Sequence, residues 1–342
     1  MESVPSLPPG WYPSYDTCPE VSPWCPVEAT TLGYAPIKSL HIFLAAAYGV
    51  LGAVTLGLGI LYQTWEFSLA VAVGCFLELI GYVGRARMGI NPWDYDAFRM
   101  QIVAIILGPT LVCIGLYLTL RHIVIHLNRD LSRVRPRIYP TFFIPADISC
   151  LVIQGVGGGI AAAAETRSLL KHGNNLIMAG ISLQVAVLAF FGIAAFDYLW
   201  RARRFFTSFP SIPSSDPATN EKHRAGALLW TNRKFRVWLI VLSIAYAALM
   251  VRCIYRIAEM AGGWGNEIMQ DEPSFIVLES FMVLVACILL TMFPPGYFFP
   301  QMGRRWRRGG GRESTGSERE GESAMGSGSA TEVEVEGMGE KV

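Results

Sequence analysis

Seven apolar stretches, at about residues 39–62, 67–84, 100–121, 141–164, 175–198, 237–259 and 274–293, take up close to half of this 342-residue chain. Each is long enough, at 1.5 Å per helical residue, to cross a hydrocarbon core of ~30 Å. Lipid offers the backbone no hydrogen-bond partners, so stretches of this length must be helices. The chain as a whole is too short of charge for a soluble domain: 16% of residues are charged, against about 25% in average soluble proteins. The expected fold is all-α, a polytopic membrane protein with a bundle of seven transmembrane helices. An ordinary soluble enzyme is excluded. The chain divides into three regions: an N-terminal segment (1–38), the seven-helix domain (39–300) and a tail (301–342).

Basic residues set the expected orientation, because short cytosolic loops collect Lys and Arg. Arg121, Arg129, Arg133, Arg135 and Arg137 follow the third span. Arg201, Arg203, Arg204, Lys222, Arg224, Arg233, Lys234 and Arg236 follow the fifth, and Arg304, Arg305, Arg307 and Arg308 the seventh. All three groups fall on one side. The other side carries Glu2, Asp16, Glu20 and Glu28, and a last loop with Glu267, Asp271 and Glu272. The N-terminus is therefore expected outside and the C-terminus in the cytosol. The start has no apolar signal-peptide core, so the first span is expected to act as its own insertion signal. The basic loops need only anionic inner-leaflet lipid as a partner; no nucleic-acid role is expected.

Cys75, Cys113, Cys150, Cys253 and Cys287 lie within spans and read as small packing residues. Cys18 and Cys25 lie in the outer segment, where a disulfide between them is expected. Gly309 to Val342 is rich in Gly, Ser and Glu and is expected to be disordered. Ser314, Ser317 and Ser323 there carry no specific regulatory signal. Small residues every fourth position, Ala45-Gly49-Ala53-Gly57 and Gly155-Gly159-Ala163, are expected to let helices approach closely. The run Gly157-Gly158-Gly159 is expected to weaken its helix locally.

Polar side chains at membrane depth are few: Glu78, Asp147, Gln154, Arg252, Arg256, Glu259 and Glu279. A centred charge is disfavoured by ~2.5–3.5 kcal/mol on insertion scales, so such residues mark pairing or a binding site. Arg252, Arg256 and Glu259 share one helix face, as do Glu78, Tyr82 and Arg85. Asp147 and Gln154 align on the fourth span. Two roles compete: the acids neutralise Arg252 and Arg256 and lock helices together, or the cluster binds a polar headgroup while the acyl part stays in an apolar groove.

Several chemistries lack their residues. The histidines (His41, His122, His126, His172 and His223) sit at span ends or in loops, so haem or zinc sites at depth are not expected. No metal or other cofactor is expected. No phosphate-binding loop occurs, and the seventh span has no lysine for a retinal Schiff base. No nucleophile set is evident, so an enzyme is not expected. A class A receptor would carry an acidic-Arg-aromatic triplet where this chain has Arg121-His122-Ile123.

Particular segments resemble the fungal RTA-like, lipid-translocating exporter family. They are Gly33-Tyr34-Ala35-Pro36, Glu78-Leu79-Ile80-Gly81-Tyr82-Val83-Gly84-Arg85, Asp147-Ile148-Ser149 and Gln154-Gly155-Val156-Gly157-Gly158-Gly159. The strongest is Arg252-Cys253-Ile254-Tyr255-Arg256-Ile257-Ala258-Glu259, followed by Gly263-Trp264 and Glu267. Phe293-Pro294-Pro295-Gly296 stands where the family has His-Pro-Gly, and Glu279 where it has an aspartate. The resemblance, over about residues 33–300, implies export of sphingoid bases or resistance to toxic amphiphiles, and a plasma-membrane location. It makes Glu78, Tyr82, Arg85, Asp147, Gln154, Arg252, Tyr255, Arg256, Glu259 and Glu279 the candidate substrate-binding residues. The implied partner is a membrane lipid or amphiphilic small molecule, as cargo or, in the alternative, as the ligand of a seven-helix lipid sensor.

Overall fold

The computed structural model describes residues 13–15, 17–133, 135–164, 166–208, 224 and 226–298. The tail from 301, with its expected disorder and its serines, lies outside them, as do Glu2, Asp16 and Lys222. Seven helices are long and apolar enough to cross a membrane: α1 (Lys38–Tyr62), α2 (Trp65–Met88), α3 (Tyr95–Leu127), α4 (Ile138–Ala162), α5 (Arg167–Ser208), α6 (Arg233–Ala261) and α7 (Glu272–Met292). A short helix, α8 (Pro295–Phe298), comes after them. The expected spans all appear. Their ends differ most at α3 and α5, with 33 and 42 residues. At 1.5 Å per residue α5 is about 63 Å long, so it runs past the hydrocarbon at its ends. The basic segment Arg201-Ala202-Arg203-Arg204 is thus helical rather than a loop.

Local chemistry sets several helix starts. The Asp94 side chain accepts from the Ala97 amide (3.0 Å) and opens α3, and Asn232 accepts from the Lys234 amide (3.0 Å) to open α6. In the bundle α2 packs between α1 and α3, α4 pairs with α5, α6 lies against α5 and α7, and α7 closes back on α1. Large apolar side chains such as Phe43, Val50, Ile193 and Ile240 point outward, whereas Glu78, Arg85, Asp147, Arg252 and Glu279 are buried. That inversion of a soluble fold is what a bilayer solvent demands.

Small residues do bring helices together, at the expected Ala45 and Gly49 of α1 but not along the rest of the expected stripes. A Cβ on Gly49 would lie 2.7 Å from the Leu79 side chain of α2. On α1 the inward face is Ala45, Tyr48, Gly52, Thr55 and Gly59, while Ala53 and Gly57 are exposed. On α4 nothing lies within 4 Å of where a Cβ would stand on Gly155 or Gly159. The interface glycine is Gly157, whose Cβ would sit 2.8 Å from the Ile177 amide nitrogen and 2.9 Å from the Gly173 carbonyl of α5. A period of four drifts around a helix of 3.6 residues per turn, so a stripe read at that spacing leaves the interface after two repeats.

Before α1, the chain folds over one end of the bundle. Cys18 and Cys25 are disulfide-bonded, with Cα atoms 5.8 Å apart. Trp93 donates from Nε1 to the Cys25 carbonyl (3.1 Å) and Asn91 from Nδ2 to the Pro19 carbonyl (2.8 Å), fixing this loop to the α2–α3 connection. Tyr15 stacks among Trp93, Tyr95 and Phe98, with ring centroids 5.2–5.5 Å away.

Candidate functional site

The buried polar groups form three sets. In the first, Arg252 of α6 donates from Nε to Glu279 Oε1 of α7 (2.8 Å) and from Nη2 to the Ile105 carbonyl of α3 (2.8 Å). Glu279 lies in a π-helical turn, Ile276–Phe281, within α7. The extra residue of a π turn rotates the remainder of the helix, and such turns cluster where a side chain must be aimed. Glu78 is nearby and fully buried, with neither carboxylate oxygen hydrogen-bonded among the described residues. Its side chain fills the space beside Gly108, where a Cβ would lie 2.6 Å from Oε1. Tyr82 stacks on Tyr48 (5.4 Å), and Tyr48 donates to the Ser280 carbonyl (3.0 Å).

In the second set, Arg85 at the end of α2 donates from Nη2 to the Tyr34 hydroxyl (2.5 Å) and from Nη1 to Gln101 Oε1 of α3 (3.2 Å). Its guanidinium lies 3.7 Å from the centroid of the Phe275 ring, a cation–π contact. Among the described residues no carboxylate is paired with Arg85. Burial pushes the Tyr34 phenol above its ordinary pKa, and the Arg85 charge opposes that shift. On α6, Arg256 donates from Nη1 to Glu259 Oε2 (2.5 Å) one turn away.

In the third set, Tyr117 of α3 donates to Asp147 Oδ2 of α4 (2.7 Å). Gln154 Nε2 donates to Gln184 Oε1 of α5 (3.0 Å), whose own Nε2 donates to Thr110 of α3 (2.9 Å). This chain of bonds ties α4 to α5 and α5 to α3.

A cavity of about 640 Å³ runs between α3, α4, α5 and α6 and draws mainly on the second set. That volume falls within the ~300–1,000 Å³ of small-molecule sites. Its polar end has Arg85, Gln101, Arg256 and Glu259; its body is apolar, with Ile102, Ile105, Leu107, Leu151, Ile177 and Ile181. Tyr15, Thr31 and Leu32 of the N-terminal segment roof it. The wall between α3 and α4 is thin: Val103, Gly155 and Gly159 both line the cavity and are exposed. The glycine run therefore does two jobs. Gly157 seats α4 on α5, and Gly155, Gly158 and Gly159 leave room in the cavity.

Of the candidate binding residues, Arg85, Gln154, Arg256 and Glu259 line this space, and Glu78, Tyr82, Asp147, Arg252, Tyr255 and Glu279 do not. The single hollow expected to gather the buried acids and arginines is thus divided: Glu279 is taken by Arg252, and Glu78 is sealed behind α3. Sequence reading passed over Tyr34, Arg99, Gln101, Trp264, Phe275 and Gln184 as site residues. Gln101 and Gln184 are polar groups at depth like Gln154, and counting amides with the charged residues singles them out. Among the described residues no three His, Cys, Asp or Glu side chains converge as metal ligands.

The chain is 29% identical over 282 residues to the sphingoid long-chain base transporter RSB1 of Saccharomyces cerevisiae, covering 78% of this chain and 74% of that protein. It is 25% identical over 239 residues to protein RTM1 of Saccharomyces cerevisiae, covering 69% of each. It is 26% identical over 231 residues to protoporphyrin uptake protein 1 of the same yeast, covering 66% of this chain and 67% of that one. No solved structure matches. The family described as RTA1-like protein matches residues 71–302, more than half of the length, and the chain belongs to that family of multi-pass membrane proteins.

Proposed function

We propose that this protein moves amphiphilic lipids, sphingoid-base-like molecules or other toxic amphiphiles, toward the outer leaflet of the plasma membrane. The observation that carries the reading is the cavity: a charged end inside the bundle, an apolar body, and a thin wall between α3 and α4 whose residues Val103, Gly155 and Gly159 are exposed. A headgroup entering there exchanges water for fixed donors and acceptors while its chain stays against apolar side chains or lipid. The similarity to a yeast protein named as a sphingoid long-chain base transporter supports the substrate class. On this reading residues 1–38 are extracellular and the tail from 301 is cytosolic, as the basic residues at the α3–α4 and α5–α6 ends favour. Glu259, the carboxylate that reaches the cavity, receives an ammonium group, with Arg256 balancing it when the site is empty. Arg252 with Glu279 and Tyr117 with Asp147 hold the helices. The chemistry is displacement of a whole molecule, with no bond made or broken, and the drive comes from a substrate gradient, the membrane potential or proton exchange.

The test is lipid movement by the purified protein in liposomes. Wild type is expected to carry a fluorescent sphingoid base between leaflets. Gly158→Phe, which fills the cavity, and Arg256→Ala are expected to slow it at least tenfold at equal protein content. Unchanged movement in both variants removes the site. Binding without movement by wild type replaces the carrier with a lipid sensor.

A further inference from the structure

The charges on the cavity wall do not balance. Among the described residues three arginines, Arg85, Arg99 and Arg256, line it against one carboxylate, Glu259. Glu259 is already engaged by Arg256 at 2.5 Å. Arg85 is 2% exposed, yet its donors meet only neutral acceptors, Tyr34 and Gln101, and its Nε has no hydrogen-bond partner among the described residues. A buried guanidinium normally sits against a carboxylate or phosphate, whose paired oxygens match its fork of donors. Here the ring of Phe275 covers one face. The cation–π contact tempers the charge without neutralising it. The sphingoid-base reading alone gives this excess positive charge no purpose: a cationic headgroup is repelled by two of the three arginines.

We infer that the cavity binds amphiphiles whose headgroup carries an anionic oxygen group, a phosphate or a carboxylate, with Arg85 as its receptor and Glu259 left to take an ammonium where the headgroup is zwitterionic. The inference rests on the cavity being the amphiphile site proposed above and narrows what it accepts. Several features fit. Gln101 and Tyr34 hold the guanidinium from two sides, so it is preorganised and loses little side-chain entropy on binding. The apolar body of the cavity adjoins Gln101, with Ile102 and Ile105 within about one helical turn of it, so one molecule can make both the headgroup and the chain contact. Arg99 stands at the exposed end of the same wall, its guanidinium 5.3 Å from the Tyr95 ring centroid. A second cation there draws an anion inward through the electrostatic field.

The test compares three probes with one chain length, dodecyl phosphate, dodecanoate and dodecylamine, binding to the full-length protein in neutral-lipid nanodiscs by calorimetry. The two anions are expected to bind at least tenfold tighter than the amine. Arg85→Gln is expected to remove that preference and Arg85→Lys to keep part of it. Should Arg85→Gln fail to fold, Arg99→Gln, at an exposed position, is expected to weaken both anions about threefold and leave the amine unchanged or tighter. An amine that binds as tightly as the anions, or anion affinity unmoved by Arg85→Gln and Arg99→Gln, overturns the inference. The liposome assay separates the two ideas. A protein that moves the amine and ignores the anions keeps its transport role and loses this preference. One that binds the anions without moving any probe keeps the preference and loses transport.

Discussion

Arg252 donates to the carbonyl of Ile105 (2.8 Å), the one acceptor in α3 that Pro109 leaves without its helical partner. A proline has no amide hydrogen, so the bond from residue 109 back to residue 105 cannot form. In water that carbonyl would be solvated; in lipid it needs a donor from the protein. Arg252 supplies one while pairing with Glu279 (2.7 Å), so a single side chain joins α3, α6 and α7. Removing one member of a buried pair strands the other, at about 3–5 kcal/mol. Arg252→Met is therefore expected to lower the thermal midpoint of the detergent-solubilised protein strongly. Arg252→Met with Glu279→Leu is expected to recover part of the loss, because both charges of the pair are gone while the Ile105 carbonyl still lacks its donor. Equal destabilisation by the single and the double variant contradicts the pairing.

Adjacent glycines on α4 are expected to respond in opposite ways. A methyl at Gly157 meets the backbone of α5 at 2.8–2.9 Å, where neither chain can yield without separating the helices. Gly157→Ala is expected to destabilise by about 1–3 kcal/mol, the range for overpacking, and to lower the amount of folded protein. Gly158→Ala meets nothing within 4 Å and is expected to fold like wild type. Size-exclusion profiles and melting curves of the two variants, made side by side, decide this.

Asp147 keeps one hydrogen bond from Tyr117 (2.7 Å) deep in the bundle, and its Oδ1 has no hydrogen-bond partner among the described residues. Tyr117→Phe is expected to destabilise by about 1–3 kcal/mol, the penalty of leaving a buried polar group without its donor. A second change, Asp147→Leu, is expected to restore stability on the Tyr117→Phe background. A cycle of the four proteins by thermal unfolding measures the coupling; a value near zero denies it.

Opening the Cys18–Cys25 bond is expected to loosen the N-terminal segment and leave the bundle folded. Linking two residues 7 apart in sequence restricts the unfolded chain by roughly 2–3 kcal/mol in the chain-entropy account. The double variant Cys18→Ser with Cys25→Ser is expected to be cut faster by protease before residue 38, with helix content unchanged. Protection equal to wild type means that the aromatic contacts of Tyr15 and Trp93 hold the segment unaided.

The spans were legible because lipid imposes one requirement, a continuous apolar helix, on each of them. Where that requirement lapses, legibility lapses too: α3 and α5 continue beyond the hydrocarbon, where polar sequence is compatible with either helix or loop. The charged members of the site were legible for the same reason, since Arg85, Arg256 and Glu259 stand out against an apolar background. Their partners were not. Whether Arg252 meets Glu279 or Glu78 depends on a π turn in α7, and whether a glycine packs or opens space depends on helix rotation. Tyr34 and Phe275 acquire their role only through the side chain of Arg85, which one-dimensional spacing does not place.

Tyr15, Thr31 and Leu32 form the roof of the cavity, and all precede residue 71, where the family match begins. The helices that wall the chamber and the segment that caps it are thus separate stretches of chain. A change in the cap reshapes the mouth of the chamber while leaving the helical scaffold untouched.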